Sequence, residues 1–287
     1  MERVRNGVVQ TPSGGVFHAE AGAGEPLLLL HATPRSHRYF RYMLRLLAPH
    51  FRAIAVDTPG FGGSHPLPEA ATIRSIAACF VQFLDAAGID RAHVFGLHTG
   101  NKIAAALAAD WPDRVGRVVL AGQTHSLILE KAARDEAIRG IVEHYFPQYG
   151  ESTDGAHHIR RWAAVNAEAH ALWWPQRLRT GAKVGPRDIE NAEAQVIDYL
   201  HGHPSIVPVY RAIFDFDMEA ALRRIDAPTL VLELLTRQES HFGEQATRVA
   251  SIMKRATAAS VQGDGDVFET GPEGPTQAVL AFLRRDA

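Results

Sequence analysis

The chain has 287 residues, of which 46% are hydrophobic, and these values are typical of a globular protein with a large core. Thirty Lys and Arg residues are balanced by 32 Asp and Glu residues, which excludes the strong electric field that attracts nucleic acid or an anionic membrane. The single cysteine, Cys79, excludes an internal disulfide and suits a reducing compartment.

The first half of the chain predicts a hairpin followed by alternating strands and helices. Glycines punctuate the segment Val16–Ala21, which indicates a short β-hairpin within the first 25 residues. Apolar runs that begin at Pro26, Phe51, Ala92 and Val115 predict further strands. Strands that alternate with helices as far as about residue 125 indicate βαβ units and a mainly parallel sheet.

The strand pattern disappears from Ser126 to about Arg224 and is replaced by helical periodicity that is interrupted at prolines. The predicted helices are Ile128–Tyr145, His158–Trp173, Pro186–His201 and Ser205–Phe216. We interpret residues 126–225 as an all-helical cap inserted between two halves of one core, residues 1–125 and 226–287. The alternation resumes with strands at Ala227–Leu234 and Ala258–Gly263 and a final helix at Thr276–Arg284.

The most informative segment is Gly96–Gly100, which reads G-L-H-T-G between an apolar run and an alanine-rich helical pattern. The two glycines allow a sharp turn from strand to helix, and this turn lifts the side chain of His98 above the sheet edge. Together with H-A-T-P at His31–Pro34 and D-T-P-G-F-G-G-S at Asp57–Ser64, the segment resembles the α/β-hydrolase superfamily, whose nucleophile elbow reads G-x-S-x-G. The resemblance implies a mostly parallel, twisted sheet flanked by helices, with a helical cap that roofs the pocket.

The sequence departs from that superfamily at all three positions of the expected catalytic triad. His98 stands in place of the nucleophile, and the expected acid falls near Arg237, with the nearest carboxylates, Glu233 and Glu239, out of register. Asp266 stands where the resemblance implies the catalytic histidine. The triad is therefore degenerate, although the positions that carry it are recognisable.

A coherent chemical interpretation of these changes is a pair formed by His98 and Asp266. In the fold that the resemblance implies, the elbow residue and the last-loop residue face each other within hydrogen-bonding distance. A carboxylate beside an imidazole orients the ring and favours its protonated form, so His98 would act as a general base. Two alternatives stay open: Thr99 as a nucleophile with His98 as its base, and loss of catalysis.

The resemblance also implies an oxyanion hole and several structural residues. Its donors would be the backbone N–H groups of Thr99 and Thr33. We expect His31 to brace the loop that carries Thr33, and Asp57 to accept hydrogen bonds within its turn. Because these donors belong to the backbone, the prediction depends mainly on the shape of the loop.

Three further residues are candidates for contact with a substrate. Arg35 could hold an anionic group, with a solvent-exposed salt bridge as the alternative. Gln123 and His125 follow the strand that leads into the cap, and either could line the pocket. The cap is also rich in histidine, but no metal is predicted, because carboxylates at ligand spacing are missing. These histidines are His144, His157, His158, His170, His201 and His203.

We therefore predict an enzyme without organic cofactor or metal that acts on a small, largely apolar substrate with a carbonyl or ester-type group. The reaction could be a hydrolysis or a lyase- or cyclase-type step, and the sequence does not choose between them. The alternative is a catalytically inactive homologue that binds a ligand or serves as a scaffold. We expect a small-molecule substrate as partner, no nucleic acid, no membrane and a cytoplasmic location, and a homodimer stays open.

Overall fold

The computed structural model describes residues 3–122, 185–236, 244–263 and 267–284, together with residues 136, 139–140, 153–157, 159–160 and 163. Within these residues eight strands form one sheet in the order β1-β2-β4-β3-β5-β6-β7-β8. The strands are β1 Arg5–Thr11, β2 Gly14–Ala21, β3 Pro26–Leu30, β4 Arg52–Val56, β5 Ala92–Leu97, β6 Val115–Ala121, β7 Thr229–Leu235 and β8 Ala256–Gln262. The helices are α1 Arg41–Leu47, α2 Ile73–Ala86, α3 Thr99–Asp110, α4 Pro186–Asp215, α5 Met218–Arg224, α6 Ala246–Ile252, α7 Val267–Thr270 and α8 Glu273–Leu283.

The sheet is antiparallel at one edge and parallel elsewhere. Strand β1 pairs with β2, and β2 pairs with β4, both in antiparallel orientation. The neighbouring pairs from β4 through β3, β5, β6 and β7 to β8 are parallel. The N-terminal hairpin, the mainly parallel sheet and the late strands predicted from the sequence are therefore confirmed. The final helix begins at Glu273, three residues before the predicted start.

Both faces of the sheet are buried, which explains why its central strands are continuous apolar runs. Along β3, Leu28 and Leu30 pack into the cluster that contains α2 and α3, whereas Leu27 and Leu29 pack into the cluster that contains α1 and α8. All four leucines are fully buried. Successive strand residues point to opposite faces, and each such leucine contributes about 2 kcal/mol of hydrophobic stabilisation.

The helical region after β6 contains a 30-residue helix, α4, that passes through Pro204 and Pro208. The predicted break at Pro204 is therefore wrong. A proline inside a helix removes one backbone hydrogen bond, but the residues around it can still be held by tertiary packing. Here Ile206 and Val209 are fully buried in the core cluster, so packing keeps the second half of α4 helical.

The second half of α4 and the short helix α5 pack with the core helices. Leu222 of α5 is fully buried in the cluster that contains α2 and α3. The predicted cap, residues 126–225, thus includes a C-terminal part that contributes to the core face. The predicted helices Ile128–Tyr145 and His158–Trp173 lie for the most part outside the described residues. None of the described helices has the length and hydropathy of a transmembrane segment.

The strand order creates a crevice where the chain changes direction. From β3 the chain continues to β4 on one side and then returns to β5 on the other side of β3. The loops that follow β3 and β5 therefore leave the carboxyl edge of the sheet in opposite directions and leave a crevice between them. A crevice at such a switch point is the usual ligand site of parallel sheets. The loop at His31–Ser36 and the turn at His98 are the two segments that border this crevice.

Candidate active site

The turn at His98 joins β5 directly to α3 and has the geometry of a strained elbow. His98 has φ 48° and ψ −104°, and it is the one non-glycine residue in the described part of the chain with a positive φ. Its N–H donates to the carbonyl oxygen of Ala121 at 3.1 Å, and its own carbonyl accepts from the N–H of Asn101 at 3.1 Å. A non-glycine residue keeps such a conformation when the surrounding structure enforces it, and this occurs most often at functional sites.

Two glycines make this turn possible, because they carry no side chain at points where two backbone segments are in contact. A Cβ on Gly96 would lie 2.3 Å from the carbonyl oxygen of Gly100. A Cβ on Gly100 would lie 2.1 Å from the carbonyl oxygen of Leu30 in the neighbouring strand. The contacting atoms belong to the backbone and cannot move aside, so the G-x-H-x-G pattern reflects close packing of α3 on the sheet.

The imidazole of His98 lies against Gly122, at the end of β6. A Cβ on Gly122 would come within 2.7–3.0 Å of three ring atoms of His98. Asn101 fixes this backbone, because its Nδ2 donates to the carbonyl oxygens of Gly122 at 2.7 Å and of Ala121 at 3.3 Å. His98 as a whole is partly exposed. The position of the His98 side chain is thus defined by β5, α3 and the end of β6.

Thr33 and Thr99, the predicted oxyanion donors, are adjacent across the crevice. The N–H of Thr33 donates to the hydroxyl oxygen of Thr99 at 3.3 Å. Thr99 is buried and is the first residue of α3, where backbone N–H groups have no acceptor within the helix. The structure brings the two residues together, and their role as oxyanion donors stays a prediction.

His31 braces the loop that carries Thr33. Its Nδ1 lies 2.9 Å from the carbonyl oxygen of Ala32, and its Nε2 accepts from the N–H of Thr58 at 3.0 Å. Burial lowers the pKa of His31, although the nearby carboxylate of Asp57 acts in the opposite direction. Both ring nitrogens are occupied by backbone groups, as expected for a structural residue.

Asp57 stabilises the turn after β4 and orients a second histidine. Its carboxylate accepts from the backbone N–H of Gly63 at 2.8 Å and of His37 at 2.6 Å, and it also contacts Nδ1 of His37 at 2.8 Å. Burial alone would raise the pKa of Asp57, but the hydrogen bond and charge of His37 outweigh burial and lower it. The predicted structural role of Asp57 agrees with these contacts.

Arg35 lies in a buried ionic network, and the predicted alternative of a solvent-exposed salt bridge is wrong. Its side chain is 5% exposed. Its Nη2 lies 2.8 Å from Oε1 of Glu269, and its Nε lies 3.4 Å from Oδ2 of Asp198. The guanidinium is therefore shared between carboxylates of α4 and α7, and contact with a substrate stays a prediction.

Two more arginines extend this network. Nη1 of Arg38 lies 3.2 Å from Oδ1 of Asp198, and Nη1 of Arg41 lies 2.7 Å from Oε1 of Glu269. Arg41 also donates to the side-chain oxygen of Asn191. The network ties the loop after β3 to α1, α4 and α7.

Sequence reasoning missed Asp198 and Glu269. The available signal was that three arginines at intervals of three residues need acids, but no motif indicates which acids these are.

Several predicted residues lie outside the described part of the chain. These are Asp266, Gln123 and His125, the position of the expected acid at Arg237, and Glu239. Glu233 is described, and its carboxylate accepts from the backbone N–H groups of Gln245 at 2.6 Å and Ala246 at 3.1 Å. It therefore caps the start of α6, which agrees with its position out of register for the triad.

The histidines of the predicted cap show no common site in the part that the structure describes. His203 is fully buried and His157 is nearly so, whereas His201 is exposed on α4. Among the described residues, no group of three or more potential ligands could hold a metal ion. His144, His158 and His170 lie outside those residues.

Comparison with known proteins identifies the family. A family model described as the alpha/beta hydrolase fold matches residues 25–179, more than half of the chain. The dihydrolipoyllysine-residue acetyltransferase component of the acetoin cleaving system of Cupriavidus necator is 30% identical over 145 residues, 47% of this chain and 38% of that protein. Haloalkane dehalogenase 2 of Mycobacterium tuberculosis is 34% identical over 108 residues, 37% of this chain and 38% of that protein. The matched segments thus span about two fifths of these relatives.

A solved structure extends the likeness in fold to nearly the whole chain. A hydrolase from Pseudomonas aeruginosa superposes with a TM-score of 0.73 at 23% identity, and the match covers 98% of this chain and 99% of that one. At this identity the likeness shows the fold alone. The sheet order, the elbow at His98 and the family match agree, and the chain belongs to the α/β-hydrolase fold family.

Proposed function

We propose that the protein is a cofactor-independent enzyme in which His98 acts as a general base on a small, largely apolar substrate with a carbonyl or ester-type group. The observation that carries this proposal is the placement of an imidazole on the strained turn at the switch point of the sheet. The elbow of this fold presents its central side chain to the pocket. A histidine there can accept and return a proton near neutral pH.

In the hydrolytic form of this proposal, His98 takes a proton from water while the water oxygen attacks the carbonyl carbon. The carbonyl oxygen becomes an oxyanion, and the backbone N–H groups of Thr33 and Thr99 stabilise its charge, with the N–H of Thr33 exchanging the hydroxyl oxygen of Thr99 for the oxyanion. Collapse of this intermediate breaks the bond to the leaving group, which takes the proton back from His98. In the lyase or cyclase form, the base removes a proton from the substrate itself.

Asp266 is proposed as the partner that orients the imidazole and stabilises its protonated form. Arg35 supports this arrangement indirectly. It lies two residues after Thr33, and it is paired with Glu269, which lies three residues after Asp266. We therefore assign Arg35 a positioning role between the two loops.

The hydroxyl of Thr99 is a weaker candidate for the nucleophile. It already accepts the N–H of Thr33, and it belongs to a buried side chain beside the elbow residue rather than at its centre. Thr99→Val separates the two roles, because it keeps the backbone N–H and removes the hydroxyl. Retained turnover supports the His98 base, and complete loss in a folded variant favours a role for the hydroxyl.

The cap, residues 126–225, is proposed to roof the crevice and to select the substrate, with Gln123 and His125 at its entry. Helix α4 supports this placement, because Asp198 near its centre pairs with Arg35 in the loop after β3. Several of the relatives, such as the haloalkane dehalogenase named above, are hydrolase-type enzymes, which favours a small organic substrate. The alternative proposal is a homologue without catalytic activity that binds a ligand in the same crevice.

A substrate screen by mass spectrometry distinguishes the enzyme from the binding protein. Wild type, His98→Ala and the control His201→Ala, which changes an exposed histidine of α4, are incubated with esters, lactones and β-diketones. Turnover by wild type and by the control, with loss in His98→Ala, supports the proposal. Ligand binding by all three without turnover supports the alternative.

Serine-directed phosphonylating reagents provide a second test. They should leave activity intact, since no serine occupies the elbow. Stoichiometric labelling of a serine with loss of activity would contradict the proposal.

A further inference from the structure

A small cavity between α1 and the edge strands β1 and β2 has an unusual concentration of positive charge. Its volume is about 180 Å³, and its polar lining comes from Asn6, His37, Arg38, Arg41 and Arg45. None of the described residues that line it is an acid. It includes no residue of β5 or α3, the elements that hold His98, and the proposed catalysis does not use it.

His37 is held rigidly at this cavity. Both carboxylate oxygens of Asp57, a fully buried residue, lie within 2.8–3.0 Å of Nδ1 of His37, and the ring of Phe17 packs at a centroid distance of 4.7 Å. Because Nδ1 is committed to Asp57, Nε2 is the ring nitrogen that is left for a ligand. In the part of the chain that the structure describes, Nε2 forms no hydrogen bond.

The three arginines differ in how far their charge is already neutralised. Arg41 is engaged with Glu269, Glu190 and Asn191. Arg38 uses Nη1 for Asp198, and about a third of its side chain is exposed.

Arg45 is exposed and makes no ion pair with any described residue. Arg38 and Arg45 therefore keep guanidinium N–H groups for a ligand.

We propose that this cavity binds a phosphate group, either inorganic phosphate or the terminal group of a larger molecule that extends into solvent. The volume corresponds to about six water molecules at ~30 Å³ each, which accommodates the five heavy atoms of phosphate. Guanidinium groups bind phosphate oxygens through paired N–H donors. Arg38 and Arg45 donate to oxygens of the phosphate, whereas Nε2 of His37 accepts from a P–OH group when the ring is neutral and donates to a phosphate oxygen when the ring is protonated.

The test is isothermal titration of the full chain with inorganic phosphate at low ionic strength, with acetate and ribose 5-phosphate as parallel arms. We expect saturable binding of one phosphate per chain. Arg45→Gln and Arg38→Gln should each weaken it on the order of tenfold, the effect of losing one charge-assisted hydrogen bond. The matched control is Arg248→Gln, an exposed arginine of α6 near the opposite edge of the sheet.

The ¹⁵N signals of the His37 ring provide a readout that does not depend on a variant that fails to fold. They should shift as phosphate is added to wild type. Tighter binding of ribose 5-phosphate than of phosphate identifies the ligand as a larger phosphate ester, and equal binding identifies phosphate itself. Absence of saturable binding, an equal effect of Arg248→Gln, or acetate bound as tightly as phosphate overturns the proposal.

Discussion

The elbow at His98 and the ionic network at Arg35 follow neighbouring strands, yet different forces hold them in place. The elbow depends on contacts between backbones, in which Gly96, Gly100 and Leu30 leave no room for an added carbon. The network depends on side-chain charges that Glu269 and Asp198 supply from distant parts of the chain. The turn therefore tolerates a different central side chain, and with it a different chemistry, whereas the network depends on each of its members.

The largest expected effect tests the side chain that the elbow presents. Asp266→Asn should lower kcat by something on the order of 10²–10⁴, or about 3–5 kcal/mol of activation free energy, because the imidazole would lose the orienting partner that we propose for it. His98→Ala should cost at least as much, and His98→Ser should not restore activity. The double variant should be about as slow as His98→Ala alone, because the pair acts as one unit. Steady-state kinetics on the substrate found by the screen measures all four.

The second-largest expected effect tests how much the ionic network at Arg35 contributes to the stability of the fold. Glu269→Ala leaves the buried Arg35 and the partly buried Arg41 with less compensating charge, and we expect a loss of about 3–5 kcal/mol in the free energy of unfolding. The control Glu219→Ala breaks an exposed pair with Arg223 within α5 and should cost about 0.5 kcal/mol or less. Urea denaturation measures both. Equal losses in the two variants would show that the buried network is no stronger than a surface pair.

A smaller effect tests the backbone of the elbow. Gly100→Ala places a methyl group against the carbonyl of Leu30, and we expect a loss of about 1–3 kcal/mol in stability together with displacement of α3. Gly274→Ala is the matched control, because an added Cβ there meets no atom within 4 Å and the residue lies in the first turn of α8. It should be neutral or slightly stabilising. A tolerated Gly100→Ala would mean that the helix can move away from the sheet.

The smallest expected effect is the pH dependence of stability that arises from His31. This residue lies in the loop after β3, which also carries Arg35. Burial lowers its pKa, so below about pH 6.5 the unfolded chain takes up a proton that the folded chain does not. Stability should therefore fall as the pH drops from about 6.5 to the lowered pKa of the folded state. The contribution of His31 is at most about 1.4 kcal/mol per pH unit.

Chemical denaturation at several pH values measures this slope. His18 and His93 also have pKa values lowered by burial and act in the same direction, so the test is the difference between variants. His31→Gln should reduce the slope, whereas exposed His201→Gln should leave it as in wild type. An unchanged slope in His31→Gln would assign the pH dependence to other groups.

The fold was predictable because its signals are local. Each signal lies within a few consecutive residues, as the glycines of the elbow and the apolar runs of the parallel strands show. The order of the motifs then follows directly from the sequence. The break predicted at Pro204 was wrong for a related reason. The local rule about proline is outweighed by burial of Ile206 and Val209 against the core, which a sequence pattern does not display.

For the candidate site, only the backbone geometry was predictable from the sequence. The elbow and the adjacency of Thr33 and Thr99 follow from motif positions, because backbone geometry is common to the fold. The burial of Arg35 was not predictable. Its carboxylate partners come from segments that no motif connects to it, so its surroundings depend on tertiary structure.

The pairs formed by Arg35 also set a temporal order during protein synthesis. They join residues 163 and 234 positions apart, and the farther acid, Glu269, leaves the ribosome last. At about 5–20 residues per second, Glu269 is synthesised roughly 12–47 s after Arg35. A nascent chain can therefore form the early strands and the elbow well before the network closes. We expect the loop after β3 to stay protease-sensitive on ribosome-bound chains that end before residue 269, and to become protected once α7 has emerged.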